Sequence, residues 1–321
     1  MKAVVFAGAG GNEVVSLAER PDPAPAGHDV LVAARFAGIN WADVAQRQGF
    51  YPPPPGAPPD IPGLEVAGTV RAVGEHVQDW RPGDRVFGIV GSGGLADRVI
   101  AHERHLVAVP DGLSEQAAAA VPEAYITAHD AVFTRGGLVP GEVLLVTGAN
   151  GAVGTAGVQL AAAAGARAVA CIRSEAAGQA LAGDGAVVVT PDTARQRLAE
   201  LGGADVVLEL VGAPYLALDL DAAALKGRIV IVGTPGGADT GISLRQLMSK
   251  RLAIHGTMLR ARRLEDKAAA VQAFGRSVVP LLAAGKVVPR IDRVFPAAQA
   301  AAAFDHLAKP GKSGKVLLDF G

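Results

Sequence analysis

Apolar residues come in short runs along the first third of the chain, and glycines and prolines separate these runs. The runs lie at residues 4–6, 30–34, 66–73, 85–90 and 97–101. Many short strands with turn residues between them predict a β-barrel or sandwich. The proline-rich residues 51–62 interrupt the pattern and predict an extended surface loop, because proline lacks the backbone donor that a helix or central strand needs.

The pattern of apolar residues changes from strand-like to helical near residue 118, which marks a predicted domain boundary. Ser114 is a candidate N-cap for alanine-rich helical turns over residues 115–134, in which Pro122 must start a new helix or kink the first. Apolar strands then alternate with helices as far as residue 232. The predicted strands are 143–147, 168–172, 187–189, 206–210 and 229–232, and the predicted helices are 153–164, 175–182, 195–201 and 215–225. This alternation is typical of parallel βαβ units.

The C-terminal tail has a different pattern. Residues 252–258 suit a final sheet strand, after which the sequence predicts a long helix at 264–284, a strand at 287–294, a helix at 297–307 and a strand at 316–320. Because the parallel sheet is then complete, we expect the tail to return to the first domain. The predicted fold class is α/β, with a β-rich domain from residues 1–118 and 262–321 and a Rossmann doubly wound parallel sheet at residues 119–261.

The amino-acid composition and net charge indicate which classes of partner the protein does not bind. The chain has 321 residues, half of them apolar, and a formal net charge of -1. Its basic residues are dispersed, so we expect no nucleic-acid partner and no anionic membrane surface. The sequence has neither the pattern of a secretory signal nor an apolar stretch of about 18 residues. We therefore expect a cytoplasmic protein, in which the single cysteine, Cys171, packs in the core.

The strongest chemical signal is the segment VLLVTGANGAVGTAGVQL at residues 143–160. A strand leads into a glycine-spaced turn and then a helix, an arrangement that lets the backbone approach a pyrophosphate and points the helix N-terminus at its charge. A second strand follows about twenty residues later, as dinucleotide binding requires. A tight turn without a ligand is the alternative.

The end of that second strand bears on which cofactor binds. A site for NAD would place a carboxylate there, where it would accept hydrogen bonds from the adenosine ribose. This chain has Arg173 and Ser174 instead, and a guanidinium with a hydroxyl suits a 2′-phosphate. The residues favour NADPH over NADH, with a merely solvated Arg173 as the alternative and Glu175 as the feature that argues for NADH.

Three further motifs carry a family resemblance. They are GINWADVAQRQGFYPPPPG at residues 38–56, IPGLEVAG at 61–68 and VPEAYITA at 121–128. Together with the glycine turn they resemble the zinc-free quinone oxidoreductase branch of the medium-chain dehydrogenase/reductase superfamily, over nearly the whole chain. The similarity is greatest to the subgroup typified by the stress-induced human quinone oxidoreductase.

The resemblance implies a GroES-like catalytic domain, a Rossmann domain and a cleft between them. It also implies a homodimer, because in the family the edge strand at residues 252–258 often joins two subunits. Zinc-dependent relatives carry a catalytic cysteine where this chain has Asn40, and a histidine where it has Leu64. The four-cysteine structural lobe is also missing, so we expect no metal.

The resemblance further assigns the cofactor contacts. Near the nicotinamide it places Asn40, Tyr51 and Thr127. At the pyrophosphate it places Asn150, Gly151, Ala152, Val153 and Gly154. At the 2′-phosphate it places Arg173, with Ser174 beside it in sequence. Along the nicotinamide half it places Val232, Gly233, Thr234, Met258, Leu259 and Arg260.

Hydride transfer without a metal needs donors for the charge that develops on the substrate oxygen. Tyr51 and Asn40 are the candidate catalytic residues, although the Tyr51 ring could instead only pack against the proline loop or the nicotinamide. We expect Asp43 to bind nearby backbone or Arg47, or to orient Asn40, and Glu65 and Glu123 to be hydrogen-bonding residues that stabilise the fold.

These residues favour NADPH-dependent reduction of quinones, which accept electrons with weak assistance. The nearest alternative is reduction of an α,β-unsaturated carbonyl by an enoyl or enone reductase. A structural or RNA-binding role, known for some relatives, is the alternative of another class; the balanced charge and the intact glycine turn argue against it.

Overall fold

All five short N-terminal runs form strands in the structure, a computed structural model that describes residues 1–173 and 178–321. The strands of this part of the chain are β1 (Lys2–Phe6), β2 (Val15–Glu19), β3 (Asp29–Ala33), β4 (Phe36–Ile39), β5 (Glu65–Val73), β6 (Arg85–Ile89), β7 (Arg98–His102) and β8 (Leu106–Ala108). Five of them form an antiparallel sheet in the order β7-β3-β5-β6-β8. Val32, Val66 and Val86 lie in the core that this sheet covers.

Residues 48–64, all of which the structure describes, contain no helix or strand, so the prediction of a loop at the prolines is confirmed. Helix α1 (Trp41–Arg47) precedes this loop, and helices α2 (Glu115–Ala119) and α3 (Pro122–His129) follow the sheet. The Ser114 hydroxyl accepts a hydrogen bond from the Ala117 amide, which confirms the predicted N-cap. Pro122 starts α3, and a π-helical turn at Asp130–Arg135 continues it.

The second sheet has six parallel strands. They are β9 (Val143–Thr147), β10 (Arg167–Cys171), β11 (Val187–Val189), β12 (Ala204–Glu209), β13 (Ala223–Ile231) and β14 (Ala253–Gly256). Their order is β11-β10-β9-β12-β13-β14, so the direction of winding reverses between β9 and β12. Open α/β sheets bind their ligands at the carboxyl ends of the strands beside this reversal.

Helices cover both faces of this sheet. They are α4 (Ala152–Ala163), α5 (Gly178–Gly183), α6 (Pro191–Glu200), α7 (Ala213–Ala222) and α8 (Leu244–Lys250). Cys171 is buried under them, as predicted, and burial raises the pKa of its thiol to about 12. None of the helices in the described ranges is long and apolar enough to span a membrane.

The tail returns to the N-terminal region. Strand β16 (Lys315–Asp319) pairs with β4 on one side and with β15 (Ile291–Pro296) on the other. Helices α9 (Leu264–Ser277), α10 (Val279–Ala283) and α11 (Ala300–Ala308) complete this part. The exact domain limits at residues 118 and 262 stay predictions.

Two expectations for the tail were wrong in detail. The single helix expected at 264–284 is broken at Val278, because Pro280 occupies the first turn of α10 and cannot donate to the preceding turn. The strand expected at 287–294 begins only at Ile291. The sequence patterns also missed β2, β4, β8, α1 and α8.

Candidate active site

The glycine turn lies between β9 and α4, next to the reversal point of the sheet. Gly148 has a φ of +58°, a left-handed conformation that glycine adopts without strain. A Cβ at Gly154 would lie 2.6 Å from the Ala149 backbone, whereas a Cβ at Gly151 would meet nothing nearer than the Gly148 oxygen at 3.5 Å. Gly154 therefore allows the helix to pack closely on the turn, and Gly151 leaves open space above it.

The N-terminus of α4 faces that space. Gly151 is its N-cap, and no side chain in the described part of the protein caps it. The first backbone N–H groups of a helix have no partner within the helix and favour an anion. Ala152, Val153 and Gly154 supply these groups, so the segment has the form that a bound pyrophosphate requires.

The C-terminal tail lies beside the turn. The Asn150 side chain donates to the Lys312 carbonyl at 2.8 Å, and the Gly314 amide donates to the Asn150 carbonyl at 2.9 Å. Asn150 therefore joins the turn to the segment that leads into β16. The sequence patterns gave no indication of this link, which depends on contacts across 162 positions.

Buried carboxyl groups fix the end of β12, next to the turn. The Thr147 hydroxyl donates to Glu209 at 2.8 Å, and Glu209 also accepts from the Val211 and Gly212 amides at 2.5 Å. Asp219 lies buried nearby; burial and the Glu209 charge hold the pKa of Asp219 well above its usual range. The hydrogen bonds of Glu209 therefore fix the backbone that follows β12 at the carboxyl edge of the sheet.

Asn40 lies at the centre of a buried polar network. Its side-chain nitrogen donates to Glu65 at 2.9 Å, and its oxygen accepts from the Lys315 ammonium at 2.6 Å. Lys315 also forms an ion pair with Glu65, and both side chains are almost fully buried. No sequence pattern singled out Lys315; the available signal was a lysine directly before the apolar residues 316–318 of a strand.

Asp43 fixes the backbone around Asn40. One carboxylate oxygen accepts from the Asn40 amide at 2.8 Å, and the other accepts from the Gly63 amide at 2.9 Å. Burial raises the pKa of Asp43 to about 6, against the opposing effect of these hydrogen bonds. The expected contact with nearby backbone is confirmed, whereas Arg47 donates to Asn12 instead.

Glu123 and Thr127 lie one turn apart on α3. Glu65 accepts from the Glu123 amide at 2.9 Å, so Glu65 is a hydrogen-bonding residue as expected. Thr127 is buried, and its hydroxyl has no hydrogen-bond partner among the residues that the structure describes. A buried hydroxyl without a partner is unfavourable unless a ligand or water completes it, so Thr127 fits a polar group of a bound cofactor.

Arg260 holds the loop that carries Tyr51. Its guanidinium donates to the Tyr51 carbonyl at 2.8 Å, the Gly91 carbonyl at 2.7 Å and the Gln46 side chain at 2.5 Å, and it stacks over the Tyr51 ring at 4.9 Å. Arg260 is buried. This geometry gives it the role of positioning Tyr51, and its expected direct contact with the nicotinamide stays a prediction.

The other predicted contacts follow neighbouring strands. Val232, Gly233 and Thr234 come directly after β13, and the Val232 amide donates to the Glu209 carbonyl at 3.0 Å. Met258 is exposed after β14, whereas Leu259 is buried.

Arg173 is exposed just past β10, while Ser174 lies outside the described residues. Lys312 lies close enough that the Arg173 charge contributes, after burial, to lowering the pKa of its ammonium; Asp292 opposes this. The described residues contain no group of three or more His, Cys, Asp or Glu side chains that could hold a metal ion.

Comparison with known proteins agrees with this architecture. A family model described as alcohol dehydrogenase GroES-like domain matches residues 26–111, and one described as zinc-binding dehydrogenase matches residues 152–277. The chain is 32% identical to the quinone oxidoreductase of Lama guanicoe, over 99% of this chain and 97% of the relative.

Solved structures share the whole fold. The Escherichia coli quinone oxidoreductase complexed with NADPH has a TM-score of 0.88 and 26% identity, over 99% of this chain and all of that one. A structure described as an NAD-dependent alcohol dehydrogenase has a TM-score of 0.87 and 30% identity, over the full length of both chains.

Proposed function

Because the chain belongs to the quinone oxidoreductase-like family of the medium-chain dehydrogenase/reductase superfamily, we propose that it reduces quinones with NADPH, by hydride transfer that needs no metal. The comparisons identify the chain as an oxidoreductase of this superfamily. We infer its cofactor, its electron acceptor and its independence of zinc from the residues of the site.

The observation that carries the proposal is the shape of the cofactor region. The open turn at Gly151 and the uncapped N-terminus of α4 would hold the pyrophosphate through residues 150–154. The unpartnered Thr127 hydroxyl would meet the nicotinamide end, near Asn40 and Tyr51. When bound, NADPH supplies the hydride, and the protein supplies geometry and electrostatics.

Two cations support NADPH over NADH. Arg173 is exposed at the end of the second strand of the dinucleotide unit, where a carboxylate would favour NADH. Lys312 lies within electrostatic reach of Arg173: burial, and then the Arg173 charge, lower the pKa of the Lys312 ammonium. A 2′-phosphate between them would relieve this repulsion and gain charge-assisted hydrogen bonds.

The Asn40 amide is oriented to assist the acceptor. Lys315 can only donate, so it fixes the Asn40 oxygen, and Glu65 takes one hydrogen of the Asn40 nitrogen. The second amide hydrogen remains for a substrate oxygen. A single neutral donor gives modest stabilisation of developing charge, which suits an easily reduced quinone better than an unactivated ketone.

The sheet edge supports the proposed homodimer. Strand β14 pairs with β13 on one side and with no described strand on the other. Leu244 and Met248 on the neighbouring α8 are exposed. Light scattering of the wild type should give the mass of two chains. The double variant Leu244→Glu/Met248→Glu should give the mass of one chain. Val288→Glu, at another exposed apolar residue, is the control and should leave the mass unchanged.

Oxidation of NADPH, followed by absorbance with a panel of ortho- and para-quinones and a parallel panel of enones, tests the reaction. Quinone turnover that persists after treatment with a strong chelator supports the proposal. If the protein reduced enones but no quinone, the acceptor would be an enone and the quinone proposal would be wrong. Loss of activity on chelation would overturn the metal-free mechanism. Binding of neither NADPH nor NADH would overturn the enzymatic function.

A further inference from the structure

Glu123 occupies an unusual position beside the buried polar network of Asn40, Glu65 and Lys315. It lies in the first turn of α3, directly after Pro122, and its backbone amide is bonded to Glu65. Its side chain is only partly exposed. Its carboxyl oxygens accept no hydrogen bond from the residues that the structure describes, in contrast to Glu65 and Asp43, whose oxygens accept hydrogen bonds from neighbouring groups.

Charged and titratable side chains surround the Glu123 carboxyl group. They are Glu65 on β5, Asp43 on α1, Lys315 on β16, Lys267 on α9, and Tyr51 and Arg260 on the loops. The lysines are already engaged: Lys315 binds Asn40 and Glu65, and Lys267 donates to the Arg260 carbonyl at 3.1 Å. Glu123 is thus the carboxyl group in this cluster that is left for a ligand.

Its protonation follows from these surroundings. Burial, followed by the Glu65 charge, raises the pKa of Glu123 to about 8, although Lys315 and Lys267 oppose the change. Tyr51 is a poorer source of a proton, because burial and the Glu123 charge raise the pKa of its hydroxyl to about 12. A donor whose pKa lies near the working pH transfers protons most effectively.

We propose that Glu123 is a catalytic residue, the acid that protonates the acceptor oxygen when the substrate is reduced. This inference rests on the proposed function. It assigns to Glu123 a chemical role in place of the stabilising role expected from sequence, and it leaves Tyr51 as a hydrogen-bond donor that does not release its proton.

The step balances as a two-electron reduction. When bound, NADPH would supply a hydride, whose C–H bond would be exchanged for an O–H bond at one carbonyl oxygen of the quinone, so that the quinone would gain two electrons and the nicotinamide would lose them. The O–H bond of Glu123 breaks, and a new O–H bond forms on the other quinone oxygen, giving the hydroquinone. Lys315 and Lys267 stabilise the carboxylate that remains, and its partial exposure lets solvent return a proton.

The test compares wild type with Glu123→Gln in quinone reduction from pH 6 to pH 10. We expect kcat/KM of the wild type to fall above about pH 8, and the variant to lose about a hundredfold at pH 7 together with this falling limb. The dissociation constant for NADPH should stay within twofold. Glu115→Gln, at an exposed acid on α2, and Tyr51→Phe should both keep the falling limb.

A second measurement needs no turnover. Infrared difference spectra of the ligand-free protein between pH 6.5 and 9.5 should contain a protonated carboxyl band that titrates near pH 8 and is missing in Glu123→Gln. An active wild type whose Glu123→Gln variant keeps both rate and pH profile would overturn the role of Glu123 alone. A wild type that reduces neither quinones nor enones would overturn the proposed function, and the proton donor with it.

Discussion

The Lys315 ammonium lies 2.6 Å from the Asn40 side-chain oxygen, although 275 positions separate the two residues. Because an ammonium group can only donate, this contact decides which end of the amide faces Lys315 and turns the nitrogen toward Glu65. Strand β16 brings the lysine to this point by pairing with β4, which ends immediately before Asn40. The last strand of the chain therefore orients a candidate catalytic residue near its beginning.

Replacement of Lys315 by Met should destabilise the protein strongly. The change leaves the Glu65 carboxylate buried without its cation, and removal of one partner of a buried pair costs about 3–5 kcal/mol. Urea denaturation of the variant, compared with the exposed Lys286→Met, measures this free energy of unfolding. The double variant Lys315→Met/Glu65→Gln should recover part of the loss; equal stability of the two single lysine variants would contradict the importance of the pair.

Arg173→Ala should weaken NADPH binding and leave NADH binding unchanged. Loss of a hydrogen bond to a charged group costs about 1.5–3 kcal/mol, which corresponds to about tenfold to hundredfold in affinity. Fluorescence titration with both cofactors measures the effect, with the exposed Arg71→Ala on β5 as control. If the wild type bound the two cofactors equally, Arg173 would not be the phosphate-binding residue.

Alanine at Gly151 and at Gly154 should separate cofactor binding from stability. The methyl group of Gly151→Ala enters open space, so we expect an unchanged melting temperature and weaker NADPH binding, because the methyl occupies the approach of the pyrophosphate.

Gly154→Ala places its methyl 2.6 Å from the Ala149 backbone. The strain should lower the free energy of unfolding by about 1–3 kcal/mol. Thermal denaturation and titration of both variants distinguish the two effects, and a destabilised Gly151→Ala variant would show that the space above the turn is not open.

Asp219→Asn should stabilise the protein at alkaline pH. The raised pKa of Asp219 means that the folded state holds a proton that the unfolded state releases above about pH 4, so stability falls as pH rises beyond that value. The amide removes this penalty. Melting temperatures at pH 5 and pH 8 should therefore differ less for the variant than for the wild type.

The matched control is Asp221→Asn on the same helix. Hydrogen bonds from Gln246 and Arg195 outweigh the effect of burial and lower the pKa of Asp221, so its ionised form is favoured in the folded state. This variant should lose stability at pH 8. A loss of the same size in Asp219→Asn would mean that Asp219 is ionised in the native protein.

Sequence by itself determined the features that depend on neighbours along the chain. The alternation of apolar strands and helices gave the parallel sheet, and the segment around Gly148, Gly151 and Gly154 gave its cofactor turn, because backbone conformation and helix start are local properties. Ser114 as N-cap and the buried Cys171 could be predicted for the same reason. The family motifs extended this to the two-domain architecture that the comparisons support.

Tertiary structure alone decided which polar groups meet. Lys315 with Asn40 and Glu65, Arg260 with Tyr51, and the unpartnered carboxyl of Glu123 depend on segments far apart in sequence. Short elements such as β4 were missed because four residues hold too little periodicity, and β4 forms by pairing with β16. Burial then set the pKa values of Asp43 and Glu123, since the ionisation of a side chain depends on the dielectric and charges that surround it in the folded protein.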